Sequence, residues 1–163
     1  MDNPCADSQI FMTIVPFLSL KPSNGECEEE LLAAIRSVIR SGNLILGENV
    51  EEFETDFSRF LAENVFSMGV ASGTDALELS LRALGVGHGD EVVTVSHTAI
   101  ATISAILSVG AIPVLVDIDQ QTWNMNPELL EDAITSKTKA IIFVHIYGNP
   151  SGLLEAKAVA DAS

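Results

Sequence analysis

The 163 residues are 47% hydrophobic and 19% charged, enough apolar mass for one α/β domain with a real core and the composition of a soluble globular protein. Eight Lys and Arg stand against 23 Asp and Glu, a formal net charge of −15, which excludes the basic surface that nucleic acid requires. Any anionic ligand has to be held by local dipoles and a few cations against an unfavourable global field.

Residues 1–8 are acidic and polar where a secretory leader needs a basic start and an apolar run, so the expected compartment is the cytoplasm. Cys5 and Cys27 have no His or Cys at metal spacing beside them, and no disulfide or zinc framework is expected. Leu31, Leu32, Ile35, Val38 and Ile39 recur at helical intervals and predict a helix over 28–40, stopped by Ser41-Gly42-Asn43. Val50, Phe53, Phe57, Phe60 and Leu61 predict a second over 49–62, with Glu51, Glu52 and Glu54 favoured by the dipole of its first turn.

From there the pattern alternates. Strands are predicted over 66–71, 91–95, 113–116 and 139–144, and helices over 74–84, 98–109 and 127–134, with a last helix starting near Leu153. This is α/β, a three-layer sandwich with a mainly parallel sheet. Residues 99–116 are uncharged and near the length of a membrane span. Thr102, Ser104 and Ser108 interrupt them, and Gly110 and Pro113 divide them into helix, turn and strand, so a span is rejected.

The predicted strand over 66–71 runs straight into Ser72-Gly73-Thr74-Asp75 and the helix that follows. A helix start leaves backbone N–H groups without partners at the positive end of the dipole, which is a seat for phosphate. Gly73 lets a ligand come close, and the Ser72 and Thr74 hydroxyls add donors. Locally the same residues also read as an ordinary N-cap beside a glycine. They are not a dinucleotide fingerprint, because Gly85, Gly87 and Gly89 follow the helix instead of opening it.

Ligands of parallel sheets collect at the carboxyl ends of the strands, so the candidate rim is 72–75, 96–99, 117–119 and 145–149. Within it His97 is either a polar contact or a histidine satisfied by backbone, and His145 and Tyr147 either line the substrate side or belong to the core. Asp117 and Asp119 read as turn formers ahead of metal ligands. No repeat or linker is visible, and the sequence ends inside an apparent helix, so one incomplete domain is expected.

Several stretches taken together resemble the DegT/DnrJ/StrS family: Ser41-Gly42 with Ile45-Leu46-Gly47, Val50-Glu51-Glu52-Phe53-Glu54, and Val70-Ala71-Ser72-Gly73-Thr74-Asp75-Ala76-Leu77. The likeness continues through Gly89-Asp90-Glu91-Val92, Ser96-His97-Thr98, Gly110-Ala111-Ile112-Pro113-Val114, Val116-Asp117-Ile118-Asp119, Lys137-Thr138-Lys139-Ala140-Ile141-Ile142 and Val144-His145-Ile146-Tyr147-Gly148, in order and at family spacing. The resemblance implies the large domain of fold type I, the aspartate-aminotransferase fold of pyridoxal-phosphate enzymes. It also implies amino transfer from an amino acid to a nucleotide-linked keto-sugar, and a homodimer when the protein is complete. Members commonly begin near the Pro-Phe-Leu segment at Met12–Leu18, which leaves 1–11 as an N-terminal extension and 12–163 as the N-terminal part of that domain.

Carried over by position, Ser72, Gly73 and Thr74 hold the cofactor phosphate, in agreement with the seat read from the residues. Ala99 falls where many members stack an aromatic ring on the pyridine, which alanine cannot do. His97, Thr98, His145 and Tyr147 are rim candidates for the substrate. Asn43 departs from the aromatic residue usual after Ser-Gly. The reaction needs a lysine that bonds to the cofactor and an acid facing the pyridine nitrogen, and the family places both later than Ser163. Lys137, Lys139 and Lys157 do not lie in its lysine motif. The chain alone is therefore expected to be inactive. Three alternatives stay open: a sugar dehydratase of the same family, a noncatalytic phosphate-binding or subunit-binding remnant, and, opposed by the missing fingerprint, a nicotinamide oxidoreductase.

Overall fold

The computed structural model describes residues 27–163; the expectations for the 1–11 extension, Cys5 and the Met12–Leu18 segment lie outside the described residues. The described residues divide into two compact units, one ending at Ser67 and the other spanning 68–163.

In the first unit, α1 (Glu28–Ser41) opens on three glutamates and closes at Gly42, whose φ of 75° supplies the left-handed cap that a side chain would resist. Gly47, at φ 128°, precedes α2 (Glu48–Leu61). Phe53, Phe57 and Phe60 stack along α2 with ring centroids 5.6 and 6.3 Å apart, the spacing that i, i+4 and i, i+3 positions impose. Past the helix, the Ser58 hydroxyl accepts from the Ser67 N–H at 2.8 Å and donates to the Glu54 carbonyl. Cys27 is exposed and in no disulfide.

The second unit holds α3 (Gly73–Ala83), β1 (Glu91–Val95), α4 (Ile100–Ser108), β2 (Ile112–Val116), α5 (Pro127–Ala133), β3 (Thr138–Ile141) and α6 (Leu153–Ala162). The strands pair in the order β2-β1-β3, all parallel. Alternation along β1 sets the layers. Val92 faces Leu81, Val86, Ile106, Val109 and Ala111, the side covered by α3 and α4. Val93 and Val95 face Val116, Met125, Leu130 and Ala156, the side covered by α5 and α6. Thr94, fully buried, donates its hydroxyl to the Ile142 carbonyl at 3.1 Å, so the one buried polar side chain of the central strand is satisfied. The layered α/β arrangement is the one expected.

The strand expected over 66–71 does not form: the three described strands pair only with one another, and Phe66 and Met68 are 95% and 80% exposed. A strand is completed by its ladder, and local pattern cannot provide a neighbour. The last strand is also shorter than expected, ending at Ile141, although the Ile142 N–H still reaches the Val93 carbonyl at 2.8 Å. Among the described residues no helix is long and apolar enough to cross a membrane.

Candidate functional site

The direction of α3 and α4 decides where the phosphate seat lies. Arg82, in the last turn of α3, reaches the Ser108 carbonyl at the end of α4 at 3.4 Å. Leu81 packs with Ile106, Val109 and the first half of β1. The two helices therefore run parallel to each other and antiparallel to the sheet, with both first turns at the carboxyl edge of the strands. Arg82 also pairs with Glu78 at 2.8 Å, and that bond holds the Glu78 carboxyl below its usual value.

At the start of α3, Ser72 is the N-cap, and its oxygen accepts from the Asp75 N–H at 3.2 Å. The hydroxyl proton stays free to donate, and the Gly73 and Thr74 N–H groups, in the first turn, have no intrahelical acceptor. A Cβ built on Gly73 would meet nothing within 4 Å, so the approach to these donors is open. The donor set fits a phosphate monoester, with no cation in the turn. At the start of α4, Ala99 is the N-cap and gives no side-chain cap. Thr98 and Thr102 pair through their hydroxyls at 2.8 Å.

The rim residues expected at the ends of β1 and β3 come together. His97 Nε2 and the Tyr147 hydroxyl are 3.0 Å apart. The His97 ring centroid lies 5.5 Å from that of Tyr147 and 5.8 Å from that of Trp123. Trp123 itself holds a left-handed backbone, φ 63°, an unusual state for a bulky residue. His145 packs against Phe143 with ring centroids 5.0 Å apart and planes tilted by 51°, and bonds through Nδ1 to the Asn149 carbonyl at 2.9 Å. No hydrogen bond joins His145 to Tyr147, so the rim forms two groups.

The 117–126 segment folds back through an antiparallel bridge between Ile118 and Met125. One oxygen of Asp119 accepts from the Thr122 N–H, the Thr122 hydroxyl and the Gln121 N–H at 2.8 to 3.1 Å; Asp117 accepts from the Ile118 N–H. Asp119 is thus a turn former in this structure. The backbone bond from Thr122, with the hydroxyl bond behind it, lowers the Asp119 pKa from its ordinary 3.8. A depressed folded-state pKa stabilises above the ordinary value and loses that contribution as pH falls through the folded value. The Thr122 amide should therefore keep its hydrogen-exchange protection down to about pH 4 and lose it progressively below, with Asp119→Ala unprotected throughout.

Sequence reasoning did not single out Trp123 or Asn124. Asn124 is 2% exposed, and its Nδ2 donates to the Asn149 and Ser151 carbonyls, both at 2.8 Å. An Asn in a polar turn usually signals the turn itself, and nothing in the local pattern marks this one as buried.

Residues 26–163 match the DegT/DnrJ/EryC1/StrS aminotransferase family. The chain belongs to that family. It is 46% identical over 147 residues to the erythromycin biosynthesis sensory transduction protein EryC1 of Saccharopolyspora erythraea, covering 90% of this chain and 40% of that protein. It is 44% identical to the dTDP-3-amino-3,4,6-trideoxy-alpha-D-glucose transaminase of Streptomyces venezuelae, covering 90% and 38%. Among solved structures it superimposes on S. venezuelae DesV in complex with a ketimine intermediate with a TM-score of 0.84, 43% identity, and 91% and 40% of the two chains covered. The NtdA structure from Bacillus subtilis with bound cofactor PMP gives 0.83 and 35%, covering 91% and 34%. The chain thus spans about two fifths of the length of the curated relatives it matches. The fold-type expectation agrees with these neighbours, an incomplete α/β domain of the aminotransferase kind.

Proposed function

We propose that residues 12–163 are the N-terminal part of the large domain of a pyridoxal-phosphate-dependent aminotransferase acting on a dTDP- or UDP-linked keto-sugar with an amino-acid donor, in the cytoplasm and as a homodimer. The observation that carries this reading is the α3 start, an open turn of phosphate donors at the carboxyl edge of a parallel sheet, in a chain whose family relatives include named sugar transaminases. Ser72, Gly73 and Thr74 would hold the cofactor phosphate, and Ala99 would sit beside its ring. His97, Thr98, His145 and Tyr147 would line the sugar side. Bound pyridoxal phosphate supplies an electron sink for amino-group exchange, while these residues bind and orient. The lysine that carries the cofactor is assigned to protein beyond these 163 residues.

The test compares pyridoxamine 5′-phosphate with pyridoxamine, followed by quenching of Trp123, the one tryptophan of the chain. The phosphate form should bind at least about 100-fold more tightly, as expected of two or more charge-assisted bonds; equal affinities refute the seat. The same preparation should transfer no amino group to a dTDP-linked keto-sugar, and turnover at ordinary enzyme rates would overturn the placement of the lysine outside it. Ala99 is exposed at the edge, with room for a ring. Ala99→Phe is expected to tighten pyridoxamine 5′-phosphate binding about fivefold, the worth of one aromatic stacking contact.

A further inference from the structure

The contacts around Asn149 fix more than a loop. Its carbonyl oxygen takes two donors, Nδ2 of the buried Asn124 and Nδ1 of His145. Both partners of the Asn124 amide nitrogen are carbonyls, so chemistry alone orients that side chain, with its two N–H bonds spent on Asn149 and Ser151. A carbonyl can only accept, so the neutral His145 ring carries its proton on Nδ1, and Nε2 is left as a bare acceptor. Phe143 packs against the ring at a 51° tilt, centroids 5.0 Å apart. The imidazole is exposed at the end of the third strand, and Nε2 has no hydrogen-bond partner among the described residues.

We infer that His145 is a substrate-binding residue, accepting a hydroxyl proton of the sugar at Nε2, and that Asn124 is the positioning residue that sets this role by anchoring the Asn149 carbonyl. The inference rests on the aminotransferase reading above, which makes the carboxyl edge the sugar side. His97 cannot take the same part while its Nε2 is engaged by Tyr147. The two histidines of the rim are therefore divided between a wall contact and a ligand contact.

The experiment is long-range 1H–15N spectroscopy on the 15N-labelled protein at alkaline pH, where an imidazole is neutral. The three histidines of the chain are told apart with His145→Gln. His145 is expected in the Nδ1–H form, and its Nε2 resonance should move on addition of dTDP-glucose. In Asn124→Ala the ring should spread over both tautomers. An Nε2–H form in the unsubstituted protein overturns the inference, a reading that needs no variant to fold. An Nε2 resonance unmoved by dTDP-glucose overturns the ligand contact, and a tautomer unchanged in Asn124→Ala overturns the positioning role. Loss of the phosphate preference in the pyridoxamine comparison would instead defeat the functional reading, so the two failures are separable.

Discussion

Gly73→Asp should lower the affinity for pyridoxamine 5′-phosphate by at least about 100-fold, because a fixed carboxylate would face the phosphate across the donors it needs, at a cost of a few kcal/mol. The same change should leave stability intact or slightly raised. The added Cβ meets nothing within 4 Å, and an acidic side chain in the first turn of a helix is favoured by its dipole. Binding and stability are thus expected to part company, which an ordinary N-cap with a glycine beside it would not produce. The check is a pair of titrations, ligand against Trp123 emission and urea against far-UV circular dichroism. Gly73→Ala is the companion variant, expected to cost no more than about threefold in affinity, since it adds bulk and no charge. An aspartate variant that binds like the unsubstituted protein removes the phosphate seat from this chain.

Ile106→Ala should destabilise the second unit by about 3 kcal/mol. Ile106 is completely buried, where α3, α4 and β1 meet, and the lost methyl and methylene groups leave a cavity that the surrounding Leu81, Val92 and Val109 can only partly close. Trp123 lies in this unit, so its emission reports the unit's unfolding, and the urea midpoint should fall without a change of slope. Phe60→Ala is the contrast. That ring is 82% exposed on α2, so its truncation gives up little buried area and the Trp123 transition should barely move.

How much of this was readable beforehand follows from the range of the forces involved. Helices α1 to α6 and strands β1 and β2 appear close to their expected places because their signals are local: apolar spacing, acidic first turns, and glycines at Gly42 and Gly110 with φ of 75° and 82°. The 66–71 segment fails for the opposite reason: Phe66 and Val70 have strand-forming side chains, but the described sheet consists of β2, β1 and β3 and does not include this segment. The ladder of β1 with β3 shifts register between Glu91 and Val92, a non-local adjustment that no pattern in either strand announces. At the rim, the residues after β1 and β3 were legible as an edge. Their grouping was not, because the bond between His97 and Tyr147 spans 50 positions and the Asn124 anchor spans 25 and 27.

The bare start of α4 sets a trap for anyone engineering this protein for heat resistance. Position 99 carries an alanine with no side-chain cap, and a stability screen would select Ala99→Ser or Ala99→Asp there for a gain of about 1 kcal/mol. Either replacement turns the new side chain onto the open amides of that turn, and the aspartate adds negative charge at the edge where the phosphate-bearing ligand is proposed to dock. A thermostabilising substitution at this cap is thus expected to work against the proposed ligand site, a trade of endurance against activity confined to one methyl group.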